Sequence, residues 1–265
     1  MLEILDRLGE ARGEKVRVAV VDSGVEPGHS WVGGRLVESY SVVRGGSDYQ
    51  LLKSKEGGDL MGHGTAVSGQ IRRFAPDVDI VSVQILSGGL RADSEALLRA
   101  LGWLATQDVS IINLSLSTMR EKLALRICHA IDDLSAAGVA VVCARGYHSK
   151  GRAYPTDFAS TVAVSYKDLH PARVEFRPND PVEFDAAGAQ VEIAWKSTAE
   201  APNATRVAEG SSFACPLVTG LGARILSVAP GLQPYELKTL IRAYALQQAE
   251  GWWEDWMDAV EAPPV

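Results

Sequence analysis

Starting at Gly210, the chain reads GSSFACP as far as Pro216 and continues into small and apolar residues, Leu217–Ala223. A turn of small residues before such a run predicts a helix that begins near the serines. Ser212 then lies in the first helical turn, where N–H groups without helical partners and the positive end of the helix dipole converge. A serine at this place is compatible with a helix cap and with a nucleophile.

Two upstream stretches favour the nucleophile. Val16–Val25, VRVAVVDSGV, is an apolar run rich in β-branched residues, which predicts a buried strand with Asp22 at its carboxyl end. In Gly62–Gly69, GHGTAVSG, His63 opens a second helix of small residues. Asp22 alone could cap a turn, and His63 alone could be an ordinary helix-start residue. Together with a helix-start serine they form the set that acyl transfer needs: a nucleophile, a base and a carboxylate that orients the base.

The blocks VVDSGV, GHGT and GSSFACP resemble those of the subtilisin-like serine proteases, the subtilases, which carry the triad in the order Asp, His, Ser. The last block stands where the family usually shows GTSMAxP. The resemblance extends from about Val16 to about Val260. It implies that Ser212 is the nucleophile, that His63 is the general base and then the general acid, and that Asp22 fixes the imidazole tautomer. It also implies that the backbone N–H of Ser212 donates to the oxyanion.

Apolar runs alternate with helical patterns, which predicts an α/β fold: a three-layer α/β/α domain with a mainly parallel central sheet. Strands are expected at Leu36–Val43, Asp79–Leu86, Val109–Leu116, Val139–Ala144, Thr161–Ser165, Val174–Phe176, Val182–Asp185 and Val191–Trp195. Helices are expected from His63 to Phe74, from Asp93 or Ser94 to Ala105, over Glu121–Ala137, from the serine turn to Val228, and over Pro234–Gln247.

We expect one domain over residues 1–265, with a short N-terminal segment at 1–15 and an aromatic C-terminal segment at 250–265. The remainder of Glu26–Gly58 is glycine-rich and is predicted to be irregular. Trp252–Val260 carries aromatic residues at helical spacing, which favours packing over ligand binding.

The chain departs from the family pattern at the second oxyanion donor, which is normally the asparagine side chain of an AAGN motif. Residues Val142–His148 read VCARGYH, so Gly146 aligns with the motif glycine and Tyr147 takes the place of the asparagine. Loss of one such donor lowers turnover by roughly a hundred- to a thousandfold. Tyr147, Arg145 or His148 supplies the missing bond, or the enzyme is slow but selective, or the chain is an inactive relative. The complete triad favours an active enzyme.

The resemblance also implies that a substrate backbone pairs between two segments, Ser87–Leu90 and Leu114–Ser117. Ser117 replaces a glycine of the family, so we expect its side chain to narrow one pocket. The expected substrate-binding residues are Gly88, Gly89, Leu90, Leu114, Ser115, Leu116 and Ser117.

Composition limits the other classes of partner. With 46% hydrophobic residues in 265, the chain can bury the core of one large α/β domain. It carries 26 Lys and Arg against 33 Asp and Glu, a net charge of −7, and has no basic run, so we expect no nucleic-acid partner. No apolar stretch approaches about 18 uninterrupted residues, so we expect no membrane span. A peptide or protein substrate is the expected partner, and the oligomeric state is left open.

We expect no metal and no other cofactor. The connection Phe74–Asp79 is too short for the calcium loop of the family, and Asp77 and Asp79 alone do not form a cage of six to eight oxygens. The cysteines and histidines also lack the spacing of a zinc site.

Three features favour a cytoplasmic protein. Cys128, Cys143 and Cys215 are odd in number and lie in apolar or small-residue surroundings, which predicts buried free thiols in a reducing compartment. The first residues carry acids and lack the basic and apolar regions of a signal peptide. A first strand near Val16 leaves no room for a folding pro-segment.

The favoured function is therefore a selective intracellular serine endopeptidase that processes a dedicated precursor peptide or a partner protein. Two alternatives stay open at this point. One is a catalytically impaired peptide-binding relative, and the other is a hydrolase of small esters or amides with the same triad.

Overall fold

The computed structural model describes residues 2–87, 91–146 and 151–248. In these ranges the chain forms six helices and fifteen strands. The helices are α1 Leu2–Asp6, α2 His63–Phe74, α3 Ser94–Leu104, α4 Glu121–Ala136, α5 Ser211–Val228 and α6 Pro234–Gln248. The strands are β1 Arg17–Asp22, β2 Gly24–Val25, β3 Leu36–Gly45, β4 Asp48–Ser54, β5 Gly58–Asp59, β6 Asp79–Gln84, β7 Leu86–Ser87, β8 Arg91–Ala92, β9 Ile111–Leu114, β10 Ala140–Ala144, β11 Val162–Lys167, β12 Val174–Phe176, β13 Phe184–Ala187, β14 Val191–Ala194 and β15 Thr205–Ala208.

Nine strands form the central sheet, in the order β12-β13-β11-β10-β9-β1-β6-β3-β4. The seven inner strands are parallel, and the two edge strands, β12 and β4, pair antiparallel with their neighbours. The expectation of a mainly parallel sheet is confirmed. Because parallel strands all end at the same edge of a sheet, residues that follow β1 and β9 lie close together in space.

Helices cover both faces of the sheet, which gives the three-layer α/β/α arrangement that the sequence predicts. In β1, Val18 and Val20 belong to a core shared with α2, α5 and α6, whereas Ala19 and Val21 belong to a core shared with α3 and α4. This alternation places every second side chain on the same face of a strand. It explains why the interior of β1, Val18 to Val21, is apolar throughout: both of its faces are buried.

Helix α5 runs through the first of these cores. It is the one helix among the described residues that is long and apolar enough to cross a membrane, but 83% of its apolar window is buried inside the protein. Burial against the sheet accounts for its apolar composition.

Two hairpins differ from the sequence prediction. Strand β4, predicted as irregular chain, pairs with β3 at the sheet edge, where exposed and half-buried residues alternate along it. Strand β15 pairs with β14, of which only β14 was predicted. Strands β4 and β15 are largely solvent-exposed and therefore lack a continuous apolar pattern. The aromatic segment Trp252–Val260 lies outside the described residues.

Candidate active site

The three predicted triad residues come from three separate elements at one edge of the sheet. Asp22 is the last residue of β1, His63 is the first residue of α2, and Ser212 is the second residue of α5. His63 and Ser212 line the same cavity, whose volume is about 390 Å³. The fold thus brings together residues that are 41 and 149 positions apart in sequence, counted from His63 to Asp22 and to Ser212.

Asp22 and His63 form a buried pair. Nδ1 of His63 lies 2.8 Å from Oδ1 and 2.9 Å from Oδ2 of Asp22, and the carboxylate also accepts the backbone N–H of Ser23 at 2.7 Å. A carboxylate only accepts, so Nδ1 must carry the proton. Nε2 is then left as an acceptor, the form of imidazole that a general base requires.

The pKa of His63 reflects two opposing influences. Burial lowers it, but the carboxylate of Asp22, supported by Asp59, outweighs burial and raises the pKa above its ordinary value of 6.5. Arg206 acts in the opposite direction and moderates the rise. His63 is therefore a stronger base than a free imidazole.

Asp59 holds the start of α2 and was missed by the sequence analysis. Its Oδ1 accepts from Ser23 Oγ and from the N–H groups of Met61 and Gly62, at 2.7, 2.9 and 2.8 Å. Its Oδ2 accepts from both the N–H and the hydroxyl of Thr65, at 2.8 and 2.7 Å. One buried carboxylate thus satisfies helix-start donors and the loop before His63 together. Its signal in the sequence is an aspartate four residues before the histidine.

Close backbone approach fixes the same corner from the other side. A Cβ at Gly64 would lie 2.0 Å from the carbonyl oxygen of Gly24, so only glycine fits at this position. The N–H of Gly64 also donates a hydrogen bond to Ser23 Oγ at 3.0 Å. Close packing against the backbone of Gly24 therefore explains why a glycine follows His63.

Ser212 is held by the strand end opposite it. Pro216 has no N–H, so the carbonyl of Ser212, four residues earlier, lacks its helical donor. The hydroxyl of Ser115 donates to this carbonyl at 3.4 Å, and Asn113 orients Ser115 through a bond of 2.9 Å from its Nδ2 to Ser115 Oγ. Asn113 also accepts from Thr219 of α5 at 2.9 Å, which ties β9 to the serine helix.

The hydroxyl of Ser212 points to the carbonyl of Ser115, at 3.5 Å. Within the described residues it makes no hydrogen bond to His63. Free enzymes often show long catalytic hydrogen bonds that shorten only with substrate bound.

The proposed oxyanion donors are only partly described. The N–H of Ser212 lies at the start of α5 and has no partner among the described residues, so it is available to an oxyanion. Arg145 donates to Asp157 Oδ1 at 2.8 Å and to the carbonyl of Gly151 at 3.0 Å, and these bonds engage its guanidinium outside the serine cavity. Tyr147 and His148 lie outside the described residues.

The predicted substrate segments also differ in how far they are described. Leu114 ends β9 and Ser115 and Leu116 line the cavity beside Ser212. Ser117 follows them, and a Cβ on Gly146 would lie 3.0 Å from Ser117 Oγ, so this hydroxyl stands between the two strand ends. Ser87 ends β7 of a small hairpin, whereas Gly88, Gly89 and Leu90 lie outside the described residues.

The side of the cavity beyond His63 carries residues that the sequence analysis did not single out. Trp195 and Arg206 line it, and the Arg206 guanidinium lies 3.1 Å from the centre of the Trp195 ring. Nothing local predicts this contact, because it depends on the pairing of β14 with the missed strand β15.

The aspartates considered for calcium are engaged with arginines. Asp77 accepts from Arg12 at 2.5 Å and from Arg35 at 3.1 Å, and Asp79 accepts from Arg35 at 3.3 Å. Over the described ranges, no three His, Cys, Asp or Glu side chains are grouped to hold a metal ion. Cys143 and Cys215 are buried free thiols, as predicted, but Cys128 is only half-buried because it lies towards the outer side of α4.

The chain is similar in sequence to a known protein family and to several of its members. A family model described as the subtilase family matches residues 13–254. Subtilisin DY of Bacillus licheniformis is 26% identical over 249 residues, which cover 88% of this chain and 85% of that protein. The minor extracellular protease Epr of Bacillus subtilis (strain 168) is 30% identical over 192 residues, which cover 68% of this chain and 28% of that much longer protein.

A solved structure with the same fold has a similar sequence identity to this chain. The crystal structure of a cold adapted subtilisin-like serine proteinase matches with a TM-score of 0.70 and 26% identity, and covers 88% of this chain and 83% of that one.

Proposed function

The chain belongs to the subtilase family of serine endopeptidases, and from this premise we propose that it hydrolyses peptide bonds with Ser212, His63 and Asp22 as its catalytic triad. The observation that carries the assignment is the buried Asp22–His63 pair, 2.8 Å apart, which faces Ser212 across one cavity. A base with its tautomer fixed beside a helix-start hydroxyl is the arrangement that activates a serine.

In the proposed reaction, Ser212 Oγ attacks the carbonyl carbon of the scissile bond while Nε2 of His63 takes its proton. The resulting oxyanion accepts from the N–H of Ser212, which lies at the positive end of α5. His63 then gives the proton to the leaving amine, which departs and leaves an acyl-enzyme. Water repeats the attack, with His63 again as base, and frees both the acid and Ser212.

The second oxyanion donor is part of the proposal. Of the three candidates, Arg145 is already engaged with Asp157, which leaves Tyr147 and His148 for this role. Slower acylation in Tyr147→Phe, together with an unchanged pH profile, would favour the tyrosine hydroxyl.

We further propose a selective processing enzyme rather than a general digestive one. Ser117 Oγ stands next to Gly146 and reduces the width of the cleft between the two strand ends. On the other side of the cleft, the stacked side chains of Trp195 and Arg206 form a bulky, positively charged surface. Both features restrict which peptides fit. The cytoplasm is the proposed location, which three cysteines without a disulfide favour.

Two observations favour a second candidate function, that of a peptide-binding protein with impaired chemistry. Ser212 Oγ lies 3.5 Å from the Ser115 carbonyl, and an asparagine is replaced at the second oxyanion position. In that case Ser212→Ala would bind peptides as the wild type does, and neither protein would form products.

The test uses a synthetic peptide library incubated with wild type, with Ser212→Ala and with Ser227→Ala, followed by mass spectrometry of new termini. Ser227 lies near the other end of α5, where its hydroxyl donates to the Arg224 carbonyl, so it controls for loss of a serine from this helix. We expect wild type and Ser227→Ala to cut and Ser212→Ala not to cut. Equal product formation by Ser212→Ala would reject the proposed nucleophile.

A further inference from the structure

The β14–β15 hairpin presents one cation on a face that is otherwise apolar. Arg206 pairs with Ile193 across the hairpin, so their side chains lie on the same face. On this face Ile193 packs with Ala66 of α2 and Phe213 of α5. The alternation of the strand predicts an apolar residue at position 206, and the chain has an arginine there instead.

The Arg206 guanidinium is supported by an aromatic ring and stays accessible. It stacks on Trp195, 3.1 Å from the ring centre, which shields one of its faces from water. The residue is nevertheless exposed, and it lines the cavity that contains His63 and Ser212. A group bound in the cavity can therefore reach it.

Arg206 has no acidic partner in the part of the chain that the structure describes. Glu209 lines the same cavity, but no ion pair joins its carboxylate to Arg206. Burial lowers the pKa of Arg206, and no described carboxylate counters that effect. By contrast, Arg145 pairs with Asp157 and Arg126 pairs with Glu95. A cation placed in a cleft with its charge unmatched is complementary to an anionic ligand.

The position of Trp195 indicates which part of a substrate would meet the cation. His63 protonates the leaving amine, so the residues that follow the scissile bond lie on its side of Ser212. Trp195 is on this side, since a Cβ on Gly62, the residue before His63, would lie 3.3 Å from its Cδ2. Ser115 and Gly146, which also line the cavity, lie instead just beyond the ends of β9 and β10.

We propose that Arg206, stacked on Trp195, forms a subsite for an aspartate or glutamate side chain in the substrate segment that follows the scissile bond. This inference rests on the proposed peptidase function and adds a substrate class to it: peptides with an acidic residue shortly after the cleavage site. Binding such a residue would replace solvent around the guanidinium with a charge-assisted hydrogen bond.

The test compares cleavage-site profiles on a randomised peptide library for wild type, Arg206→Gln and Arg206→Glu. Arg99→Gln is the matched control, because it removes an equal charge from the exposed outer side of α3, where Arg99 donates to the Tyr49 carbonyl. One cleaved peptide is then made with Glu, Gln or Lys at the selected position. The Glu to Gln ratio of kcat/KM is measured within each variant, so a general loss of activity cancels.

We expect a Glu to Gln ratio of about five to ten in wild type and in Arg99→Gln, as for a partly shielded ion pair. The ratio should fall to about one in Arg206→Gln, and Arg206→Glu should prefer Lys. Cleavage without an acidic preference, or a preference that survives in Arg206→Gln, would overturn the subsite while leaving the peptidase assignment intact.

A binding measurement separates this inference from the proposed function. In Ser212→Ala, the Kd of the Glu peptide and of the Gln peptide can be compared with no chemistry involved. A five- to tenfold tighter Glu peptide, with no cleavage by wild type, would support the subsite and reject the peptidase. Equal affinities would reject the subsite whether or not wild type cuts.

Discussion

Among single residues, His63 is the one that transfers protons in the proposed mechanism. Three charged neighbours, together with burial, set the proton affinity of its imidazole. Burial lowers its pKa, Asp22 and Asp59 raise it, and Arg206 lowers it, with the net result above 6.5. Neutralising Asp59 and neutralising Arg206 should therefore shift the pH profile of activity in opposite directions.

The first prediction concerns this profile. kcat/KM should fall as the pH drops through the raised pKa of His63, because only neutral imidazole accepts the serine proton. Arg206→Gln should move this limb to higher pH, and Asp59→Asn should move it to lower pH. Kinetics across the pH range on one peptide substrate measure both shifts. Shifts in the same direction would contradict the assignment of their charges.

Stability should depend on pH in the reverse sense. The folded-state pKa of His63 is raised, so the Asp22–His63 pair contributes fully below the unfolded value of about 6.5. That contribution is lost as the pH rises through the folded pKa. Activity therefore increases over the window in which this part of the stability disappears.

The second prediction concerns Asp59 as a positioning residue. Asp59→Asn leaves one acceptor oxygen for five donors, so some N–H and O–H groups at the start of α2 lose their partner. We expect a loss of about 1–3 kcal/mol in the free energy of unfolding and a lower kcat. Asp108→Asn is the control, since the Asp108 side chain is 91% exposed and pairs only at the surface with Arg17. Denaturant unfolding gives the free energy of unfolding of both variants. An equal loss in the two would show that Asp59 stabilises the start of α2 no more than an exposed carboxylate does.

The third prediction concerns Ser117. Ser117→Gly removes the hydroxyl that faces Gly146, so the cleft should accept a larger side chain before the scissile bond. We expect kcat/KM for a peptide with a large apolar residue there to increase by about tenfold. The matched peptide with alanine at the same position should change little. An equal change for both peptides would mean that Ser117 does not set the width of the pocket.

At the scale of elements, the proposed site depends on how closely α2 and α5 approach, because each begins with a triad residue. Gly220 of α5 lies against α2, and a Cβ there would stand 2.6 Å from Phe74 Cβ and 2.9 Å from the Ile71 carbonyl. Two helices that cross at a glycine can hold their first turns on the same cavity.

The fourth prediction tests this crossing. Gly220→Ala should cost about 1–3 kcal/mol in the free energy of unfolding, since backbone and core atoms must move. Gly102→Ala in α3 is the matched control: nothing lies within 4 Å of its Cβ position, so it should stabilise the protein by about 0.5–1 kcal/mol. Thermal and denaturant unfolding measure both. Two changes of the same sign would contradict the packing argument.

Elements with a local signal were predictable from the sequence. Strand β1 is apolar on both faces, and α2 ends at Phe74 where Ala75-Pro76 stops it, as predicted. Strand β4 was missed because an edge strand of mixed polarity carries no continuous apolar pattern. Asp59 and Arg206 were missed for another reason: their roles depend on contacts with Ser23, Thr65 and Trp195 that form only in the folded chain.

At the scale of the whole molecule, the parallel sheet explains why three distant motifs meet. Strands β1 and β9 are adjacent and parallel, so Asp22 and the Ser115 segment emerge at one edge. Helices α2 and α5 pack on the same face of the sheet and begin at that edge. The order of the motifs in sequence and the direction of the strands are thus enough to predict the cavity, but not the residues that line its far side.

The central claim is that Ser212 is an activated nucleophile. The most direct measurement is covalent labelling by a fluorophosphonate, with the modified residue located by peptide mass spectrometry in wild type, Ser212→Ala and Ser227→Ala. We expect one label, on Ser212, in wild type and in Ser227→Ala, and none in Ser212→Ala. Folded wild type that resists the probe, or a label on any other residue, would contradict the claim.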